Sequence, residues 1–79
     1  MNKIEYLTAA IQARTEEITR YELDIATNQR VIDSIGNDPD MQEYKTHTGR
    51  VIAFSQVEKR KAELHKAALE AELAILQTQ

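Results

Sequence analysis

Isoleucine recurs at every seventh position along the first half of the chain. The five residues are Ile4, Ile11, Ile18, Ile25 and Ile32. A second set follows three residues after each isoleucine and comprises Leu7, Arg14, Tyr21, Asn28 and Ile35. A straight amphipathic helix would drift from a seven-residue frame by about 20° per repeat, so this spacing predicts a coiled-coil helix with isoleucine at each a position.

The residues at the two ends of this pattern predict the bounds of the helix. Asn2 is a favourable N-cap, and Gly36 can take the positive φ that ends many helices. Pro39 then suits the first turn of a following helix. The sequence therefore predicts a single domain over residues 1–79, with a helix over about 2–35, a turn over 36–38 and a second helix over about 39–78.

A turn near the middle of the chain predicts an antiparallel helical hairpin with two legs of similar length. If the chain reverses at residues 36–38, facing residues have numbers that sum to about 75. The facing pairs are then Tyr21 with Phe54, Ile18 with Val57, Ile11 with Leu64, Arg14 with Lys61 and Asn28 with His47. The predicted partners on the second helix also follow a 3–4 spacing and comprise Phe54, Val57, Lys61, Leu64, Ala68 and Ala71. The two polar pairs, Arg14 with Lys61 and Asn28 with His47, would form polar layers that fix the alignment of the two helices.

Residues 45–54 allow an alternative to a continuous second helix. Residues 45–49 include weak helix formers, and residues 50–54 could form a short strand. Ser55 and Glu58 have the spacing of a capping box, which would start a helix at Ser55. The alternatives are a second helix with a break near 46–50, or a helix–β-hairpin–helix arrangement.

The end of the second helix has apolar residues on a further face. Those lying opposite the predicted seam are Ala62, Leu69, Leu73 and Leu76. A helix that is apolar on all sides is buried on all sides. We therefore predict an all-α fold in which these four residues form an interaction face and two hairpins dimerise into a four-helix bundle.

Composition and charge narrow the classes of function. The chain has 79 residues, 42% of them hydrophobic, with no cysteine and a formal net charge of −3. Residues 1–40 carry four bases and eight acids, and residues 41–79 carry six bases and five acids. The one basic cluster, residues 59–61, points in several directions on a helix. We expect no nucleic-acid partner, because phosphate binding needs an extended basic surface.

The sequence offers little for catalysis or metal binding. His47 and His65 are too far apart for a helical zinc motif. The acids Asp38, Asp40 and Glu43 lack the spacing and central glycine of a calcium loop, so helix capping explains them better. No phosphate-binding loop or nucleophile elbow is present. We expect no enzymatic activity, no metal and no cofactor.

The same sequence contains no apolar stretch near the roughly 20 residues that a membrane helix needs. The N-terminal residues also lack the charged and apolar regions of a signal peptide. We therefore expect a cytoplasmic protein with no membrane partner.

These observations favour a non-enzymatic assembly or adaptor protein that associates through helices with itself, as a homodimer or higher oligomer, and with one protein partner. In architecture the chain resembles the plasmid-encoded repressor of primer family, whose dimeric hairpins recognise paired RNA loops; this implies a small nucleic-acid-associated regulator as an alternative. Through residues 49–51 leading into a helix at Ser55, it also resembles small phage head-to-tail joining proteins. That resemblance implies a phage or mobile-element accessory protein.

Overall fold

The computed structural model describes residues 2–79 as two long antiparallel helices. Helix α1 spans Lys3–Ile35 and helix α2 spans Gln42–Gln77, with one turn of 3-10 helix at Pro39–Met41 between them. The hairpin measures 62 × 15 × 15 Å. The predicted all-α hairpin is confirmed, and residues 2–79 contain no strand, so the helix–β-hairpin–helix alternative is wrong.

Helix α1 begins and ends where the sequence predicts. The Asn2 side-chain oxygen accepts a hydrogen bond from the Glu5 backbone N–H at 2.8 Å, as an N-cap does. At the other end Gly36 has φ 52°, and its N–H donates to the Ile32 carbonyl. Glycine is suited to this position because a Cβ disfavours positive φ.

The connection between the helices is longer than the predicted turn. It runs over residues 36–41, because Pro39–Met41 forms a separate 3-10 turn capped by the Asp38 carboxylate. Lys45 donates from Nζ to the Gly36 carbonyl at 2.8 Å, and the Gln42 amide donates to the Asp38 carbonyl at 2.8 Å. The last turn of α1 has no basic residue of its own. Lys45 therefore supplies the cation that stabilises the C-terminus of α1.

The heptad positions of α1 form its seam with α2, as predicted. Every a and d position from Leu7 to Ile35 is half-buried, whereas Ile4 at the open end of the hairpin is exposed. No residue of α1 is fully buried. One neighbouring helix therefore covers only part of each isoleucine.

Helix α2 turns a different face to α1 than the sequence predicts. Its buried and half-buried residues include a regular 3–4 series, which we call the α2 seam: Lys45, Thr48, Ile52, Ser55, Lys59, Ala62, Lys66, Leu69, Leu73 and Leu76. The predicted partners Phe54, Val57 and Leu64 are all more than half exposed. The predicted pairing by numbers that sum to about 75 is therefore wrong.

Between Lys45 and Lys66 the α2 seam is built mainly from small or long polar side chains, with Ile52 as its one large apolar residue; beyond Lys66 it continues with leucines. Thr48 is buried, and its hydroxyl donates to the Tyr44 carbonyl one turn earlier at 2.9 Å, so the hydroxyl does not need a partner on α1. Ser55 and Ala62 are buried as well. Small residues at these levels leave room for the isoleucines of α1. The predicted break near 46–50 does not occur, because Gly49 lies within the continuous α2 helix.

Neither of the two helices in residues 2–79 has a stretch that is long and apolar enough to cross a bilayer.

Candidate interaction surface

The most prominent apolar surface of the hairpin runs along the outside of α2. We call it the outer stripe, and its seven exposed residues are Phe54, Val57, Lys61, Leu64, Ala68, Ala71 and Ile75. They repeat at alternating intervals of three and four residues, which is the spacing of a coiled-coil seam. Helix α2 therefore has two coiled-coil faces, of which α1 covers one.

The outer stripe lies almost opposite the α2 seam. At 3.6 residues per turn each residue advances by about 100°, which places the mean direction of the outer stripe roughly 160° from that of the seam. For example, Ile52 is buried while Phe54, two residues later, is exposed. A helix bound to the outer stripe would lie on the far side of α2 from α1.

The borders of the outer stripe combine small and charged residues. Ala67 and Ala74 are exposed along one border, where they would let a neighbouring helix approach closely. Arg60 lies on the same border, and Glu58, His65 and Glu72 lie on the other. The Glu58 carboxylate accepts a hydrogen bond from Lys61 Nζ at 3.0 Å within the helix. Charges that flank an apolar seam select partner and orientation in coiled coils.

The outer side of α1 differs from that of α2. Its large exposed apolar residues, Tyr6 and Leu23, stand far apart among polar residues. Single exposed apolar side chains are common on protein surfaces. The extended apolar face, interrupted by Lys61, therefore belongs to α2.

The four residues predicted as an interaction face lie on the α2 seam. Ala62 is 2% exposed, and Leu69, Leu73 and Leu76 are half-buried. The premise that the hairpin leaves them uncovered is wrong, because their side of α2 packs on α1. Contact of these residues with a second chain stays a prediction, whereas the outer stripe is the larger exposed apolar surface.

A polar layer interrupts the seam between the helices. Arg14 Nη1 lies 3.4 Å from His65 Nδ1, and Arg14 Nη2 lies 3.4 Å from a carboxylate oxygen of Glu17. The buried Arg14 Nε has no hydrogen-bond partner within residues 2–79. The predicted pairing of Arg14 with Lys61 is wrong, since Lys61 lies on the outer stripe.

The remaining polar residues that the sequence singled out are dispersed. His47 is exposed, and Asn28, its predicted partner, donates instead to the Asp24 carbonyl at 2.7 Å. Asp38 caps the 3-10 turn through the Asp40 N–H at 3.0 Å. In the part of the chain that the structure describes, no three acidic or histidine side chains gather as metal ligands would.

The hairpin also has an open groove of about 750 Å³ at the end where the start of α1 lies beside the end of α2. Its apolar lining comes from Ile4 and Ile11 on α1 and Leu73 on α2, and its polar lining includes Glu5 and Glu70. No histidine lies in it, and solvent reaches it freely. The groove offers neither the desolvation nor the convergent polar groups of a substrate site.

The sequence pattern does not show that the outer stripe is free, because both faces of α2 have the 3–4 spacing of a coiled-coil seam. Pro39 does not separate them, since a proline at this point suits the first turn of a helix whichever face of α2 packs on α1. Comparison of the chain with models of protein families, with curated proteins and with solved structures finds no match.

Proposed function

We propose that the protein is a non-enzymatic assembly or adaptor protein that acts by helix–helix association, with a second copy of itself and with one protein partner. The observation that carries this proposal is the outer stripe: a second coiled-coil face on α2, exposed along the helix, in a chain with few other means of forming a core.

The thin core of the hairpin supports the proposal. Among residues 2–79 the buried apolar side chains are those of Ile52, which is 9% exposed, and Ala62. Burying an exposed large apolar side chain contributes about 1.5–3 kcal/mol. Phe54, Val57 and Leu64 would each gain such a contribution in a helical interface, and a second helix on the outer stripe would bury them together.

Two leucines provide a matched test of this proposal. Leu64 on the outer stripe is 57% exposed, and Leu23 on the outside of α1 is 62% exposed. Leu64→Lys places a charge in the proposed interface, where it must be desolvated, whereas Leu23→Lys leaves its lysine in water. Lysine and leucine have similar helix propensities, so neither change should unfold its helix.

Sedimentation equilibrium of the wild type and both variants gives the result. We expect the wild type to form an oligomer. Leu64→Lys should raise the dissociation constant at least tenfold, which corresponds to a loss of about 1.4 kcal/mol of binding free energy. Leu23→Lys should leave the dissociation constant unchanged. Equal weakening by both variants would assign the effect to charge alone. A wild type that stays monomeric at high concentration would remove self-association from the proposal.

The positions of the lysines favour this function over the nucleic-acid alternative. Lys59 and Lys66 are half-buried on the α2 seam, while Arg60 and Lys61 lie on the outer side of the same helix. The basic residues at 59–66 are thus divided between two faces of α2, and neither of these faces presents the row of cations that phosphate binding needs. Salt-dependent binding to a hairpin RNA, with a steep loss of affinity between low and physiological salt, would reverse this preference.

A further inference from the structure

The outer stripe of α2 is complementary to itself when two copies are placed antiparallel. We infer that a second copy of the chain docks on it, α2 against α2, with Val57 of each copy against Ala68 of the other. This inference rests on the proposed function and specifies its partner, orientation and register.

In two of the three layers of this register a large side chain meets a small one, and in the central layer the Lys61 stem lies against Leu64 of the other copy. Residue numbers 54 and 71, 57 and 68, and 61 and 64 have the same sum, so all three layers are level in one antiparallel arrangement. Phe54 then lies against Ala71 of the second copy, and Val57 lies against Ala68. Large residues meeting small ones fill a helical interface without strain.

The position of the symmetry axis supports the same register. A two-fold axis between Lys61 and Leu64 falls near the middle of α2, which spans Gln42–Gln77. The two α2 helices would therefore overlap over nearly their full length, and the interface would be isologous and closed, as in most homodimers.

The charges along the border select this register over its neighbours. Glu58 of each copy lies beside His65 of the other, where an imidazole N–H can donate to the carboxylate. A slip of one heptad in one direction brings Glu58 against Glu58, and a slip in the other direction brings Glu58 against Glu72. A parallel arrangement stacks Lys61 directly on Lys61, whereas in the proposed register each Lys61 faces Leu64 of the other copy and the two lysines lie three residues, about 4.5 Å, apart along the axis. Each alternative places like charges together, which is unfavourable.

The angle between the two faces of α2 determines the shape of the dimer. Because the seam and the outer stripe are roughly 160° apart, the order of helices across the dimer is α1, α2, α2, α1. A square four-helix bundle needs each helix to contact two neighbours about 90° apart. The two copies therefore form a flat layer of four helices rather than the four-helix bundle that the sequence predicts.

Cysteine cross-linking tests orientation and register, since the chain has no cysteine of its own. We expect a mixture of Val57→Cys and Ala68→Cys chains to form an inter-chain disulfide under mild oxidation. Either variant alone should form none above background, because the two Val57 positions lie 11 residues, about 16 Å, apart along the antiparallel pair. Disulfides in Val57→Cys alone would indicate a parallel pair and overturn the inference.

The same experiment separates this inference from the proposed function. A wild type that sediments as a dimer while the mixture fails to cross-link would retain self-association and discard this register. A monomeric wild type with no cross-link in any mixture would discard both.

Small-angle X-ray scattering tests the shape of the dimer. A flat layer of four helices is about 40 Å wide when neighbouring helix axes are about 10 Å apart. A cross-section about two helices wide in each direction would overturn the layer.

A charge exchange tests the contact between Glu58 and His65. We expect Glu58→Lys to raise the dissociation constant of the dimer at least threefold, and Glu58→Lys with His65→Glu to return it to within about twofold of the value for chains that keep Glu58 and His65. All chains carry Lys61→Leu, because Glu58 pairs with Lys61 in its own helix and a glutamate at position 65 would pair with Lys61 as well. His65→Glu alone is the control for changes within the hairpin, since His65 lies beside Arg14. An unrecovered double variant would therefore exclude the inter-chain pair and, with it, this register.

Discussion

Arg14 of α1 and His65 of α2 lie side by side, with Arg14 Nη1 3.4 Å from His65 Nδ1. Their contact joins residues 51 positions apart in the chain and marks the level at which the two helices face each other. One turn towards the open end, the α1 seam continues at Ile11 and the α2 seam at Leu69. The alignment of the hairpin follows from this level.

The first prediction tests that alignment within one chain. In the double variant Ile11→Cys with Leu69→Cys, we expect an intrachain disulfide, because both positions lie on the facing seams at the same level. Ile11→Cys with Leu64→Cys should not close, since Leu64 is on the outer stripe. Gel mobility before and after reduction, at low protein concentration, measures closure. Closure of the Leu64 pair instead would restore the pairing that the sequence predicts.

Much of the hairpin could be predicted from sequence because α1 has only one apolar face. The five isoleucines at seven-residue intervals define that face, and the polar residues elsewhere on α1 exclude another. Asn2 and Gly36 then fix the ends of the helix through a side-chain cap and a positive φ. These are local effects, and local effects can be read from neighbouring residues.

The face of α2 could not be predicted in the same way because two faces of that helix have coiled-coil spacing. The face that packs on α1 depends on where α2 starts, and each added residue turns the helix by about 100°. Three further residues turn the helix by about 300°, which differs from the roughly 160° between the two faces, so the path of residues 36–41 selects the face together with their number. Large apolar residues such as Phe54 favour the wrong face on hydrophobicity alone, whereas the buried Thr48 and Ser55 suit the space between α1 isoleucines.

The second prediction compares the two faces of α2 directly. Ile52 is 9% exposed on the seam, and Phe54 is 62% exposed on the outer stripe. Ile52→Ala should lower the free energy of unfolding by about 2–4 kcal/mol, because it removes buried methylene groups and leaves a cavity. Phe54→Ala should lower it by less than about 1 kcal/mol at concentrations where the chain is monomeric. Urea unfolding followed by circular dichroism measures both, and a larger loss for Phe54→Ala would mean that α1 covers the other face.

The third prediction uses the two glycines, which have opposite roles. Gly49 lies inside α2, and a Cβ added there would meet no atom within 4 Å outside its local helix. Gly49→Ala should therefore raise the free energy of unfolding by about 0.5–1 kcal/mol through helix propensity. Gly36 combines φ 52° with ψ −120°, which residues with a Cβ avoid, so Gly36→Ala should lower it by about 1–3 kcal/mol. Thermal unfolding of both variants shows whether each change raises or lowers the stability. A Gly49→Ala chain less stable than the wild type would show that another backbone needs the space at that position.

The last prediction concerns the balance between stability and alignment at Arg14. Its buried Nε has no hydrogen-bond partner within residues 2–79, and an unsatisfied buried donor costs about 1–3 kcal/mol. The ion pair with Glu17, at 3.4 Å and partly exposed, contributes less than about 1 kcal/mol. Arg14→Met keeps the length of the side chain and removes the donor, so we expect the free energy of unfolding to rise by about 1 kcal/mol. Arg30→Met, at an exposed position of α1, is the control and should change it by less than about 0.5 kcal/mol.

The gain in stability from Arg14→Met should come with a less strictly aligned hairpin, because a polar layer at one level disfavours slipped pairings. In an Arg14→Met background, the preference for closing the Ile11–Leu69 cysteine pair over the Ile11–Leu64 pair should therefore be smaller than in chains that keep Arg14. A variant that is less stable than the wild type would mean that Arg14 contributes more to the seam through Glu17 and His65 than its unpaired nitrogen costs.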